Sequence, residues 1–92
     1  MKINVLRRGR EVLETEASAI RDLKSRINGN FKQAINLILK TKGRVVVSGM
    51  GKTGIIAQKF SATLASTGTP SLFLHTAEAI HGDLGKVTSS DV

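Results

Sequence analysis

Residues 44–54, RVVVSGMGKTG, restrict this chain more than any other stretch. Three consecutive β-branched residues, Val45, Val46 and Val47, predict a short buried strand over 44–48. A glycine-rich turn with a single lysine follows, and residues 55–65 then carry an apolar helical pattern. A parallel strand that feeds a turn of this kind and a helix N-terminus forms an anion site. The first amides of the helix have no intrahelical acceptor, and the dipole favours negative charge. Gly49 and Gly51 permit positive φ and close approach of a ligand. Ser48, the turn amides and Thr53 offer hydrogen bonds to an oxyanion or to sugar hydroxyls, and Lys52 adds a cation. The pattern points to a phosphate-bearing ligand without naming it. The plainer alternative is a tight strand–helix turn with a solvated lysine.

Two familiar nucleotide motifs fit less well. Gly49-Met50-Gly51-Lys52-Thr53-Gly54 matches G-x-G-x-x-G, but a dinucleotide site wants an acid about 20 residues on, at the end of the second strand. That place holds Leu74, His75 and Thr76, and Glu78 lies beyond it. Gly51-Lys52-Thr53 also resembles the end of a P-loop, yet the glycine required five positions earlier is Val46.

Leu6, Leu13, Ile20 and Ile27 recur every seventh residue, widened by Val12, Ala17 and Leu23, and predict one amphipathic helix over 5–27. Its seam packs either on its own domain or on another subunit. Gly9 weakens that helix by about 1 kcal/mol relative to alanine. Asn28-Gly29-Asn30 is a break, with Asn30 as N-cap of a second helix whose apolar face is Phe31, Ala34, Ile35, Ile38 and Leu39. Gly43 suits a left-handed C-terminal cap. A third helix is expected over 53–66 with Ile55, Ile56, Phe60 and Leu64 inward, closed by Gly68-Thr69-Pro70, before a strand over 71–75. So short a crossover through a helix implies a right-handed βαβ unit with parallel strands. Residues 77–80 form a helical turn, and 89–92 read as the lead-in to a further strand. Two parallel strands make a poor sheet, so the chain reads as cut within a larger fold. His75 and His81 follow the second strand, where open α/β sheets bind ligands, and can exchange protons near neutral pH. The ordinary alternative is a hydrogen-bonded loop histidine. Their spacing is not that of a helical metal pair.

Ninety-two residues, 40% of them apolar, make one domain or part of one. The chain has no cysteine, hence no disulfide, thiolate metal site or cysteine nucleophile. No run approaches the roughly 18 apolar residues of a membrane span. The N-terminus lacks the apolar core of a signal peptide. A soluble, cytoplasmic protein is expected, with no membrane partner. The formal charge is +7, and residues 1–44 hold 11 of the 14 basic side chains. These interleave with acids along helical repeats, and there is no tyrosine or tryptophan for base stacking, so nucleic acid is not an expected partner. The basic face is either solvated or matched to an acidic remainder of the domain.

The run VVVSGMGKTGIIAQKFSATLASTGTPSLFLHTAEAIHGDLGKV closely resembles the sugar isomerase (SIS) domain of bacterial arabinose-5-phosphate isomerases. The GMGK-[ST]-G loop, ASTGTP and EAIHGDLG occur together and in order. The resemblance assigns 1–42 to the family's N-terminal helical arm and 43–92 to the first part of the SIS domain. It implies a doubly wound α/β sandwich on a five-stranded parallel sheet, of which this chain carries the leading helices and about two strands. The implied reaction interconverts D-arabinose 5-phosphate and D-ribulose 5-phosphate through an enediol, without a cofactor. That reaction feeds 3-deoxy-D-manno-octulosonate and lipopolysaccharide synthesis, and the enzymes are homotetramers. Position by position, Lys52 matches the active-site lysine, Gly68 and Thr69 a substrate-contacting pair, and His75 a substrate contact that can hold an inhibitory zinc ion. His81 matches a substrate contact and catalytic candidate. Thr53, Thr76 and Lys86 depart mildly, standing where serine, proline and methionine are usual. The family's serine-rich phosphate loop and its glutamate are expected after Val92, so residues 1–92 alone are expected to be inactive. The remaining alternatives are a non-catalytic sugar-phosphate-sensing SIS domain of a regulator and a dinucleotide-binding module.

Overall fold

The computed structural model describes residues 2–92. They fall into two compact units that divide between Ala34 and Ile35.

The first unit is built on α1 (Val5–Asp22). Asn4 caps it, its Oδ1 accepting the Arg7 amide at 3.0 Å, which satisfies one of the orphan donors of the first turn. Glu11 accepts from Arg7 Nε at 2.9 Å and Arg8 Nη1 at 3.4 Å. The helix expected to run to residue 27 ends at Asp22 and tightens into a 3₁₀ turn, Leu23–Arg26. The seam residues Leu6, Leu13 and Ile20 are exposed. The next helix, α2, spans Gly29–Lys40. Its cap is Asn28 rather than Asn30. Asn28 Oδ1 accepts the amides of Asn30 (3.0 Å) and Phe31 (3.3 Å), while the Asn28 carbonyl takes the first helical bond from Lys32. Asn30 lies inside the first turn, where it has an amide to be capped.

The second unit, Ile35–Val92, holds β1 (Val45–Gly49), α3 (Gly51–Ser66), β2 (Ser71–His75), α4 (Thr76–Ile80) and a 3₁₀ turn, Asp83–Lys86. The strands are parallel, in register from Val45–Ser71 to Gly49–His75. β2 falls where the sequence places it, and β1 ends one residue later. On one edge of β1 the Val45 amide donates to the Pro70 carbonyl (2.9 Å). The next amide, Val46, donates to the Val92 carbonyl (2.7 Å), and Val92 N–H donates to Arg44 C=O (3.0 Å). Successive strand amides point to opposite edges, so Val92 lies against the edge of β1 that β2 leaves free. These are the bonds of a parallel neighbour, as the expected lead-in at 89–92 requires.

The orientation of α3 overturns one expectation. Ile55, Ile56 and Phe60 are exposed (65%, 68% and 50%) and only Leu64 is half-buried. The covered face is Gly54, Ala57 and Ser61. The cause is close approach. A Cβ on Gly54 would stand 2.8 Å from the Gly49 carbonyl oxygen, and one on Gly49 would stand 3.1 Å from the Gly54 nitrogen. A helix this near the sheet admits only small side chains on its inner face. The buried apolar residues are Val45, Ala57 and Leu74. Ser61, also buried, lies 2.7 Å from Ser71 Oγ, whose own proton goes to the Val45 carbonyl at 2.8 Å. Ser61 is therefore the donor to Ser71, and the relay joins α3, β2 and β1.

Gly43 is not left-handed; among the described residues positive φ occurs at Gly51, Gly68 and Gly82. Its requirement is space, because a Cβ there would collide with the Ser90 carbonyl and the Asp91 carboxylate. Asp91, its side chain 2% exposed, accepts the Arg44 amide on Oδ1 and the Thr88 amide on Oδ2, each at 2.7 Å. The Arg44 guanidinium stands 3.7 Å from Oδ2. Those amides, Arg44's foremost, hold the Asp91 carboxyl below its ordinary range. Thr41 Oγ1 donates to Ser90 C=O (2.8 Å) and Arg44 Nη2 to Lys86 C=O (2.6 Å), so the end of the chain is fastened to the entry of β1. No helix among the described residues is long and apolar enough to cross a membrane.

Candidate functional site

Because the strands are parallel, Gly49 and His75 bring their C-terminal ends to one place. A single extended residue, Met50 (φ −122°, ψ 155°), separates β1 from α3. The helix thus begins at Gly51 and not at Thr53, and Gly51, Lys52 and Thr53 are its first turn rather than a loop. Gly51 opens the turn at φ +58°, which its missing Cβ allows. The first helical bond is Gly54 N–H to Met50 C=O, 3.1 Å. The amides of Gly51, Lys52 and Thr53 precede that ladder and have no acceptor among the described residues. The turn contains no acid, and Lys52 is exposed without an ion-pair partner among the described residues. A lysine at the positive end of a helix is opposed by the dipole, at about 0.3–1 kcal/mol. Amides and ammonium together leave a positive corner that an anion would neutralise.

The β2 side of the corner is polar and locally fixed. Ser48 Oγ donates to the Leu74 carbonyl at 2.5 Å and lies 3.1 Å from Thr76 Oγ1. His75 packs edge-on to Phe73, centroids 6.2 Å apart at 81°. Its Nδ1 accepts the Ala77 amide at 3.2 Å and caps α4. The neutral ring therefore carries its proton on Nε2. His81 closes α4, its amide donating to Glu78 C=O at 3.0 Å, with the residue exposed. Among the described residues these groups offer fewer than three metal ligands, and a metal on Nε2 would send the His75 proton to Nδ1, against the Ala77 N–H.

The family model for the SIS domain matches residues 37–92. The chain belongs to the SIS family. It is 51% identical to arabinose 5-phosphate isomerase GutQ of Escherichia coli O6:H1, over 96% of this chain and 27% of that protein. It is 49% identical to arabinose 5-phosphate isomerase KpsF of Escherichia coli, over 90% of this chain and 26% of that protein. An Escherichia coli CFT073 protein solved in complex with arabinose 5-phosphate superposes with a TM-score of 0.89 at 40% identity, covering all of this chain and half of that one. The chain thus spans about a quarter of the length of the curated relatives it matches.

Within this SIS chain Ser48, Gly49, Gly51, Lys52, Thr53 and His75 lie at the C-terminal ends of the strands, and His81 follows by way of α4. Gly68 and Thr69 do not join them. They precede β2, with Pro70 bonded to Val45 at the start of β1, about 16 Å of strand away. There they line a cleft of about 260 Å³ with Ile38 and Thr41. Within one copy of the chain, β2 holds the residues before it and those after it apart by its own length. Thr76, a hydroxyl immediately after β2, also stands at this corner, within reach of Ser48.

Proposed function

We propose that this chain supplies the anion-binding corner of a sugar-phosphate isomerase that interconverts D-arabinose 5-phosphate and D-ribulose 5-phosphate. The observation that carries the reading is the first turn of α3, with three unpaired amides and Lys52 and no acid to balance them. The named activity of the relatives half-identical to this chain gives the substrate class. Isomerisation opens the sugar ring, removes the C2 proton, passes through an enediolate and returns a proton to C1. The developing oxyanion needs donors fixed in advance. Lys52 and the α3 amides fill that role, and His81 exchanges the hydroxyl proton during ring opening and enediol formation. The base at C2 is a carboxylate outside residues 1–92. No cofactor is invoked. A zinc ion on His75 would need ligands from elsewhere and a changed tautomer. The same reading carries a cytoplasmic homotetramer serving 3-deoxy-D-manno-octulosonate and lipopolysaccharide synthesis. The exposed Ile55, Ile56 and Phe60 support the assembly.

Incubating the full protein with D-arabinose 5-phosphate and measuring ketose formation tests the reading. Lys52→Ala should lower kcat/KM by about 10²–10³, the loss typical of an oxyanion donor. Normal turnover in that variant removes the lysine from the mechanism, and no ketose from the parent protein ends the proposal. Residues 1–92 alone should be inactive.

A further inference from the structure

The hydroxyls at this corner have a fixed polarity. A hydroxyl has one proton and two lone pairs. The Leu74 carbonyl can only accept, so the Ser48 proton lies on the 2.5 Å line to it. Thr76 Oγ1, 3.1 Å from Ser48 Oγ, must then donate to Ser48. One lone pair of Ser48 remains, and Ser48 is exposed. We infer that Ser48 is an acceptor-only subsite, held in that polarity by Thr76 as a positioning residue, and that it takes a hydroxyl of the sugar and not a phosphate oxygen. The inference rests on the pentose-phosphate reading of the corner.

A phosphate oxygen at neutral pH offers only lone pairs. Set against the free lone pair of Ser48, it would repel it. Turning the Ser48 proton outward would set a Ser48 lone pair against the buried Leu74 carbonyl oxygen 2.5 Å away, so the proton stays inward. Three residues further on, the Gly51–Thr53 amides offer only donors. The corner is thus divided by polarity. Anionic oxygens go to the start of α3, and a proton-bearing oxygen goes to the end of β1.

Calorimetric titration of the full protein with D-arabinose 5-phosphate and, separately, with inorganic phosphate reads this division. Ser48→Ala should weaken pentose phosphate about threefold to tenfold, the range of one neutral hydrogen bond, and leave phosphate affinity within twofold. Thr76→Val should shift the ratio of the two affinities in the same direction by less, and Thr76→Ser should restore it; a purely structural role would move both affinities together. Lys52→Ala should weaken both ligands. If Ser48→Ala does not fold, Ser48→Cys, a poor acceptor of similar shape, should give the same pattern. Equal loss of both ligands in the Ser48 variant, or loss of neither, overturns the inference. Tight binding with this pattern but no isomerisation overturns only the proposed reaction. No binding of either ligand overturns both.

Discussion

Gly54→Ala puts the contact between α3 and β1 to a quantitative test. In a helix interior this substitution ordinarily stabilises by about 1 kcal/mol. Gly9, inside α1, has nothing within 4 Å of an added Cβ, so Gly9→Ala should show that full gain. At Gly54 the new methyl would stand 2.8 Å from the Gly49 oxygen and 3.1 Å from its carbonyl carbon. Ordinary contact begins near 3.4 Å, so the backbones must part by about 0.6 Å (3.4 − 2.8). Neither side yields readily. β1 is bonded on both edges, and α3 is seated through Ala57 and Ser61. Overpacking of this kind costs about 1–3 kcal/mol. Set against the helical gain, the net runs from neutral to about 2 kcal/mol destabilised, or about 1–3 kcal/mol below Gly9→Ala. Thermal unfolding followed by far-UV circular dichroism resolves that difference, at about 4–8 °C per kcal/mol for a domain of this size. A Gly54→Ala protein as stable as Gly9→Ala would refute the close-approach argument, and with it the reason given for the outward Ile55, Ile56 and Phe60.

The depressed Asp91 carboxyl makes the docking of residues 88–91 acid-labile: the contribution is present above the ordinary aspartate value near 3.9 and is lost as pH falls through the lower folded value. Exchange protection of the Arg44 and Thr88 amides should therefore be high at neutral pH and collapse in acid, and in Asp91→Asn, which keeps a single acceptor oxygen, at least one of the two should be low at every pH; equal protection at both extremes in the parent counts against the assignment. Ser61→Ala should cost about 1 kcal/mol in denaturant unfolding, since Ser71 keeps its bond to Val45. Ser71→Ala should cost more, up to about 3 kcal/mol, by leaving the buried Ser61 hydroxyl unpaired and taking from the Val45 carbonyl the donor it has besides the Leu72 ladder amide. Identical costs would contradict the direction of that relay. Nitrogen-15 shifts of neutral His75 should report the proton on Nε2; an Nδ1–H tautomer would remove the cap on α4.

Local chemistry made much of the fold readable. The β-branched run and the segment SLFLH behind Pro70 announce two strands, and the crossover between them fixes their parallel sense. The start of α3 was obscured because glycine pairs read as loop, whereas Gly51 uses its positive φ to enter the helix. The large apolar residues of α3 point outward, against the usual rule for an amphipathic helix. The Gly54–Gly49 approach reverses that rule, and no pattern within one helix displays a backbone contact with another element. The Asp91 network was invisible for a similar reason, since one of its two amide partners, Arg44, lies 47 positions away. The placing of Lys52 and His75 at the carboxyl end of the sheet was legible because each follows a strand in sequence. Gly68 and Thr69 precede one, and the parallel topology alone was enough to send them to the far end.

The position of Val92 has a topological consequence for the site. After β2 on one flank of β1, the chain doubles back to the other flank, so the direction of winding reverses at β1. Open α/β sheets part their connecting segments above such a strand and leave a crevice at its carboxyl end. β1 empties into Gly51, Lys52 and Thr53 at that same end. The charged turn therefore stands at the winding reversal of the sheet and not at its margin, where segments arriving from both directions can close around whatever it holds.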